Sequence, residues 1–287
     1  SLARMEWAHA LVCELADARR GCSMQHANAT TAQFTRAWLS TIISPPIARP
    51  SFTLPSRNVR KLVIKVATLS CAMNKLSPFM QPFEQLPPTL PVFPLSNAVV
   101  LPASNLPLNI FEPRYLNMVQ DAMESHRLIG MIQPRDDTAN PDLYQVGCAG
   151  RITRYAETHD GRLEIALTGL CRFTIQEELS TTRGYRLVKP DWATFTADYH
   201  DSVEVSKQDN TRFMSALRAY LSAKNMQADW SVLEQLGTEA LTNSFVAILP
   251  LGVEDKQLLV ESDGLANRLR AFTAILEGHT ENSVVCH

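Results

Sequence analysis

The stretch LPVFPLSNAVVLPASNLPLNIFEPRYLNMV, residues 90–119, decides the fold of this chain. Five prolines and six serine or asparagine residues interrupt an otherwise apolar run. Proline cannot donate to the hydrogen-bond ladder of a sheet, so residues 90–95 and 98–102 are predicted to be brief strands at sheet edges or strand ends. The prolines also leave the backbone few flexible states, which favours a rigid surface for binding and gives no indication of catalysis.

The period of the apolar residues becomes helical within IFEPRYLNMVQDAMES, residues 110–125. Pro113 suits the first helical position, where a missing N–H costs nothing, and Glu112 before it favours the positive end of the helix dipole. An apolar stripe follows at helical spacing and predicts a helix that packs one face on the strands. The stripe consists of Tyr115, Met118, Val119 and Ala122.

The clearest β pattern follows in residues 128–134 and 143–179. Asp160-Gly161 between alternating segments predicts a hairpin with a type I′ turn, because glycine accepts a positive φ. The next strand is predicted to bury one face, formed by Leu163, Ile165 and Leu167. Three glycines are predicted to be bulges or corners of a small curved sheet: Gly147, Gly150 and Gly169.

From Ser206 the pattern is helical, with three apolar stripes. Strands followed by helices, without βαβ alternation, predict the α+β class. We expect a small β-domain over residues 73–205, a helical bundle over 206–278 and a tail over 279–287. The stripes are formed by Phe213, Leu217, Tyr220 and Leu221, then Val232, Leu236, Leu241, Phe245 and Leu249, then Leu258, Leu265, Leu269, Phe272, Ile275 and Leu276.

Residues 1–72 differ from the rest in composition, with no acidic residue between Asp17 and Glu84. Lysine and arginine outnumber aspartate and glutamate by 9 to 3 here, a net charge of +6, whereas residues 73–287 carry 18 against 26, a net charge of −8. Three interpretations stay open: translated upstream DNA before a start at Met73, an organelle transit segment, or a folded extension. Under the first two, we expect this segment to be disordered.

Composition and motifs exclude several kinds of site. The six cysteines and seven histidines show no zinc-site spacing, so Cys148 and Cys171 are predicted to be buried thiols in a reducing compartment. The phosphate-binding, dinucleotide-binding, zinc-protease and serine-hydrolase motifs are missing from the sequence. No apolar run reaches the length of a membrane span. We therefore expect no catalytic residue, no metal and no cofactor.

Four blocks, in this order, carry a resemblance to a known family: LPVFPLSNAVVLPASNLPLNIFEPRY, DLYQVGCAGRI, DGRLEIALTGLCRFTI and LPLGVEDKQLLVESDGLANRLRAFTAILE. From about Leu86 to Gly278 the chain resembles the amino-terminal substrate-binding domain of Lon proteases, in its stand-alone bacterial form. The resemblance implies a small twisted PUA-like β-domain followed by a helical bundle. It also implies ATPase and Ser-Lys protease modules in the full-length enzyme, and these 287 residues contain neither, so we expect no enzymatic activity.

The expected function is therefore binding of unfolded or degron-bearing polypeptides, as an adaptor in protein quality control that works with a protease or chaperone. The expected location is cytoplasmic, or organellar if residues 1–72 are a transit segment. The alternative is nucleic-acid binding through a basic face of Arg151, Arg154, Arg162 and Arg172, although the net charge of −8 weighs against it. A small-molecule pocket would need an aromatic cage, and Trp192 and Trp230 lie far apart in sequence.

The site residues predicted to contact a partner lie at the FEPRY corner: Glu112, Arg114 and Tyr115. Arg151, which follows Gly150 at the start of a strand, is added because it could reach a carboxylate of this corner or the partner itself. A structural alternative stays open, in which Glu112 and Arg114 form a helix cap with an ion pair and Tyr115 belongs to the core.

Overall fold

The computed structural model describes residues 62–64, 81–200 and 205–284 of the chain. The chain divides into two compact units, Ser1–Leu62 and Val63–His287, and the second contains almost all described residues. The three-residue strand β1, Leu62–Ile64, lies at the boundary. The rest of the segment 1–72, with the predictions made for it, lies outside the described residues.

A six-stranded sheet forms the first part of the larger unit, with strands in the order β3-β6-β5-β4-β2-β7. Strand β6 also pairs with β7, so β6, β5, β4, β2 and β7 close into a ring, while β3 pairs with the first half of β6 outside that ring. Only β2 and β4 run parallel within this sheet. The strands are β2 (Leu90–Pro94), β3 (Asn105–Ile110), β4 (Leu128–Ile132), β5 (Val146–Glu157), β6 (Leu163–Leu179) and β7 (Arg186–Asp191).

The predicted hairpin joins β5 to β6, but its turn is not type I′. Gly161 has a positive φ of 80° whereas Asp160 does not, and a type I′ turn needs both. The Thr158 N–H donates to the Arg162 carbonyl at 3.0 Å and closes the ladder. The buried face predicted for β6 is confirmed. The register shift between Ala149 and Gly150 leaves Leu170 as the extra residue beside Gly169, so the bulge lies in β6, at the predicted Gly169 and opposite Gly150.

The prediction of a strand at residues 98–102 is wrong, and β3 begins only at Asn105. Alternate side chains of this extended segment, which we call the connector, enter two different cores. Ala98 and Val100 pack in the core of the sheet, whereas Val99 and Leu101 pack in the helical core. The connector therefore runs between the sheet and the helices and contributes side chains to both cores without joining the ladder.

The helix α1, Pro113–Glu124, begins with Pro113 at its first position after the N-cap Glu112, as predicted. Its predicted stripe is buried against the sheet. One flank of the helix contacts the β6–β7 loop, where the Arg183 guanidinium forms two hydrogen bonds to the Asp121 carboxylate, at 2.8 and 3.0 Å. Two 3-10 helices, Phe83–Gln85 and Ala193–Tyr199, complete residues 81–200, which we call the β-lobe.

Residues 205–284, the helical lobe, contain five helices and the short strand β8, Met226–Ala228. The helices are α2 (Lys207–Ala223), α3 (Trp230–Leu233), α4 (Thr238–Ile248), α5 (Val253–Glu261) and α6 (Gly264–Val284). The predicted stripes supply most of its core, whereas Leu258 is 54% exposed and the side chain of Val232 lies outside the described part of the chain. Helix α6 also continues six residues past 278, where the His279 Nε2 lies 3.0 Å from the Asp255 Oδ2 and anchors this end to α5.

Buried polar groups join the two lobes. The Arg172 guanidinium pairs with Asp198 within the β-lobe and donates to the carbonyls of Val260 and Ser262 at 3.0 and 2.7 Å. The Asn243 side chain donates to the Pro102 carbonyl of the connector at 2.8 Å. Since buried polar groups are costly to leave unpaired, these contacts hold the lobes in one arrangement.

Candidate binding surface

Few large apolar side chains are exposed in the described part of the chain, and Phe111, at 59%, is more exposed than Tyr155 or Leu258. Phe111 lies between the end of β3 and the start of α1. The side chains of Leu106, Leu108 and Ile110 are buried, so the alternation along the strand directs Phe111 to the outer face. A phenylalanine at this outward position is the sequence signal that could have identified it.

The Arg162 guanidinium lies over the Phe111 ring, 5.7 Å from its centroid. Arg162 is held from its other side by the Asp160 carboxylate at 3.0 Å, and both side chains are about half exposed. Ile110 lies opposite Leu163 in the antiparallel β3–β6 ladder. Phe111 follows Ile110 and Arg162 precedes Leu163, so these two residues meet just beyond the end of the ladder.

Glu112 and Arg114 lie on the other side of Phe111 in sequence, at the start of α1. The Arg114 Nε donates to the Glu112 carboxylate at 2.9 Å, with the side chains 46% and 44% exposed. The Arg114 guanidinium also lies 4.5 Å from the centre of the Tyr115 ring. Phe111, Glu112, Arg114, Asp160 and Arg162 form a partly exposed group that we call the corner surface.

Tyr115 belongs to the core beneath this surface. It is only 6% exposed, and its ring centroid lies 4.1 Å from that of Phe93. Burial raises the pKa of the Tyr115 phenol above its ordinary value, against the smaller opposing effect of Arg114. The ring therefore supports Arg114 from below.

Arg151 is separate from the other predicted residues. It lies in β5 between Leu128 of β4 and Thr168 of β6. Among the described residues, no hydrogen bond or ion pair joins Arg151 to Glu112 or Arg114. The structure thus brings together Glu112, Arg114 and Tyr115, and leaves Arg151 outside their contacts.

The basic face proposed as an alternative loses one of its four members. Arg172 is 2% exposed and forms a bidentate ion pair with Asp198. Its side chain is part of the lobe junction and cannot reach a phosphate on the surface. Arg162 is already paired with Asp160, which lowers its value as a free cation for nucleic acid.

Cys148, Cys171 and Trp192 pack in the core of the β-lobe. Cys148 and Cys171 are buried as predicted, and burial raises the pKa of both thiols, which disfavours the nucleophilic thiolate. Trp192 donates to the Pro87 carbonyl at 3.0 Å and packs on Phe173 in the β-lobe core. In the described ranges, no three His, Cys, Asp or Glu side chains are grouped for a metal ion, and no helix is long and apolar enough to cross a membrane.

Residues 89–278 match the family described as the ATP-dependent protease La (LON) substrate-binding domain, which is well over half of the chain. The chain belongs to the Lon substrate-binding domain family. The matched residues include β2–β7, the connector and most of the helical lobe, so the corner surface lies inside the family domain.

Curated Lon proteases are similar to this chain at low identity. The Lon protease of Flavobacterium johnsoniae is 24% identical over 191 residues, which covers 64% of this chain and 23% of the relative. The Lon protease of Dictyoglomus thermophilum is 25% identical over 213 residues, covering 69% of this chain and 25% of the relative. The chain thus spans about a quarter of the length of these curated relatives.

A solved structure of a Lon amino-terminal domain shares the fold. The N-terminal domain of the Mycobacterium avium complex Lon protease has a TM-score of 0.51 at 16% identity and covers 67% of this chain and 99% of its own. A Lon N-terminal domain protein from Xanthomonas campestris has a TM-score of 0.49 at 22% identity, with coverage of 65% and 97%. The predicted order of a small β-domain followed by helices is confirmed.

Proposed function

We propose that this chain binds unfolded or degron-bearing polypeptides and acts by binding alone, as an adaptor that brings them to a protease or chaperone. Membership of the Lon substrate-binding domain family over residues 89–278 is the observation that carries the proposal. The proposal includes a cytoplasmic location and needs no cofactor. It assigns the contact with the polypeptide to the corner surface.

The chemistry of the corner surface supports this assignment. Phe111 offers an apolar ring with the Arg162 guanidinium over it, and this guanidinium and that of Arg114, three residues along the chain, can donate to the carbonyls of an extended chain. Aromatic rings and arginines are also enriched where binding energy concentrates at interfaces. Arg114 and Arg162 are each oriented by a neighbouring carboxylate, which reduces the entropy lost when they bind a ligand.

The support beneath the surface is rigid. Tyr115 packs on Phe93, and α1 packs its apolar stripe on the sheet. Phe111 is held between the β3–β6 ladder and the first turn of α1. A binding surface with few alternative backbone states keeps more of its contact energy as affinity.

The test is direct binding of the full 287-residue chain to fluorescein-labelled, reduced and carboxymethylated lactalbumin, which cannot refold. Fluorescence anisotropy is measured without nucleotide at low and high salt. We expect saturable binding that persists at high salt, because the central contact is apolar. Absence of binding at both salt concentrations, or binding that salt abolishes together with strong retention on heparin, would contradict the proposal.

A further inference from the structure

Among the described residues, strand β3 lies at an edge of the six-stranded sheet and pairs with β6 alone. In an antiparallel ladder the residues alternate, so that the backbone groups of every second residue point away from the partner strand. The ladder register places Asn105 opposite Thr168 and Ile110 opposite Leu163. With this register, one known hydrogen bond identifies the residues of β3 whose backbone groups point away from β6.

That hydrogen bond lies just before β3. The Gly169 N–H donates to the Ser104 carbonyl at 2.9 Å, and this pair is in register with the β3–β6 ladder. Because the orientation alternates along the strand, the backbone groups of residues 106, 108 and 110 face β6, as those of Ser104 do. The backbone groups of Pro107 and Asn109 point away from β6. Pro107 fits this assignment, because a proline without an N–H is tolerated where the amide would leave the ladder.

The neighbouring ladder gives the same result independently. The Thr158 N–H donates to the Arg162 carbonyl, in register with the β5–β6 pairs, so the backbone of Glu164 faces β5. Glu164 lies opposite Asn109, and its backbone therefore cannot be bonded to Asn109. In the described part of the chain, β3 pairs with β6 alone, and the backbone hydrogen bonds outside the ladders involve neither the Asn109 backbone nor the Pro107 carbonyl.

The exposed end of this edge adjoins the corner surface. Asn109 is exposed, and Phe111 follows it at the next outward position. Along this edge lie the Pro107 carbonyl, which can accept a hydrogen bond, then the N–H and carbonyl of Asn109, which can donate and accept. The apolar ring of Phe111 follows them. These groups, at strand spacing, match an extended polypeptide backbone that carries an apolar side chain.

We propose that β3 binds an extended polypeptide segment as an added strand, with an apolar side chain of that segment on Phe111. The proposal rests on the proposed function and specifies its mode: the protein recognises an unstructured backbone and not a folded epitope. Pro107 removes one donor from the edge, so the pairing is short and reversible, as suits a substrate that must be released.

Two variants of the full-length chain test the donor at Asn109. Asn109→Pro removes the outward N–H and leaves the bonds to β6 in place, whereas Asn109→Ala changes the side chain alone. The probe is a short fluorescein-labelled peptide of alternating valine and threonine with lysine ends, measured by anisotropy. We expect Asn109→Pro to bind about three- to tenfold more weakly than wild type, the cost of one lost hydrogen bond, and Asn109→Ala to bind as wild type does.

Amide hydrogen exchange of the wild type provides a second test that does not depend on the folding of a variant. Saturation with the same peptide should slow exchange at Asn109 and leave Leu108, already bonded to β6, unchanged. If the peptide binds the wild type but the Asn109 amide gains no protection, or if Asn109→Pro folds and binds as tightly as Asn109→Ala, the strand-addition mode is wrong and the proposed function survives. If neither the peptide nor unfolded lactalbumin binds the wild type, both proposals fail.

Discussion

Lys256 shows at the residue scale how a buried charge affects stability. It is 3% exposed, and its ammonium donates to the carbonyls of Asn97 and Ala247 at 2.8 and 3.1 Å. Burial lowers its pKa from 10.5 to about 8. Because the folded-state pKa is the lower one, the protonated form is penalised by folding below pH 8, and the penalty disappears as pH rises towards 10.5.

We therefore expect the free energy of unfolding of the wild type to rise relative to that of Lys256→Met between pH 8 and 10.5, by about 3 kcal/mol at most. Urea unfolding of both proteins across this range measures the difference, in which the titration of the other groups cancels. Parallel pH profiles of the two proteins would show that Lys256 keeps an ordinary pKa.

The connector is the feature that matters most at the scale of elements. Its side chains alternate between the two cores, and its Leu101 carbonyl accepts from the Ser104 side chain and backbone. The sheet must approach it closely: a Cβ added at Gly169 would lie 1.9 Å from the Leu101 carbonyl oxygen. No real Cβ contact is that short, so either the connector or β6 would have to move.

Gly169→Ala is expected to destabilise the protein by about 3 kcal/mol or more, since overpacking against backbone cannot be relieved by a side-chain rotation. Gly278→Ala is the control, because nothing lies within 4 Å of a Cβ added there and alanine is favoured over glycine inside a helix such as α6. Thermal unfolding followed by circular dichroism compares them. Equal melting temperatures for the two variants would mean that the sheet does not hold the connector closely.

The β-lobe and the helical lobe form one cooperative structure at the scale of the molecule. Leu101 is fully buried in the helical core although it belongs to the β-lobe, and Arg172 reaches the carbonyls at the end of α5. The lobes bury both of these groups only when packed together. Their stabilities are therefore coupled.

Leu101→Ala should lower the stability of both lobes together, by about 2–5 kcal/mol, the usual cost of a leucine-sized cavity. Amide hydrogen exchange measures the free energy of opening separately for β6 and for α6. We expect the slowest amides of both elements to lose the same opening free energy. Loss confined to α6 would show that the lobes open independently.

Features encoded by local periodicity could be predicted from the sequence. Helix α1, with Pro113 at its start, and the buried face of β6 depend on neighbours in the chain. The alternation along the connector predicts a strand, but here it arises because the connector runs between two cores. The sequence predicts a surface position for Arg172 because its partners, Asp198 and Val260, lie 26 and 88 residues away.

The candidate site was only partly predictable for the same reason. Glu112 and Arg114 are only two residues apart, so their ion pair can be predicted from the sequence. The contact between Phe111 and Arg162 depends on the β3–β6 register, which a single sequence does not specify. The adjoining Tyr115 was assigned to the site although its burial makes it a support.

The most direct test of the central claim compares Phe111→Ser with Leu258→Ser in the full-length chain. The two side chains are similarly exposed, at 59% and 54%, and lie on different lobes. Anisotropy with carboxymethylated lactalbumin gives the affinity of each. We expect Phe111→Ser to bind about tenfold or more weakly, as for an apolar residue at the centre of an interface, and Leu258→Ser to bind as the wild type does. Equal affinity of the two variants would contradict the assignment of polypeptide binding to the corner surface.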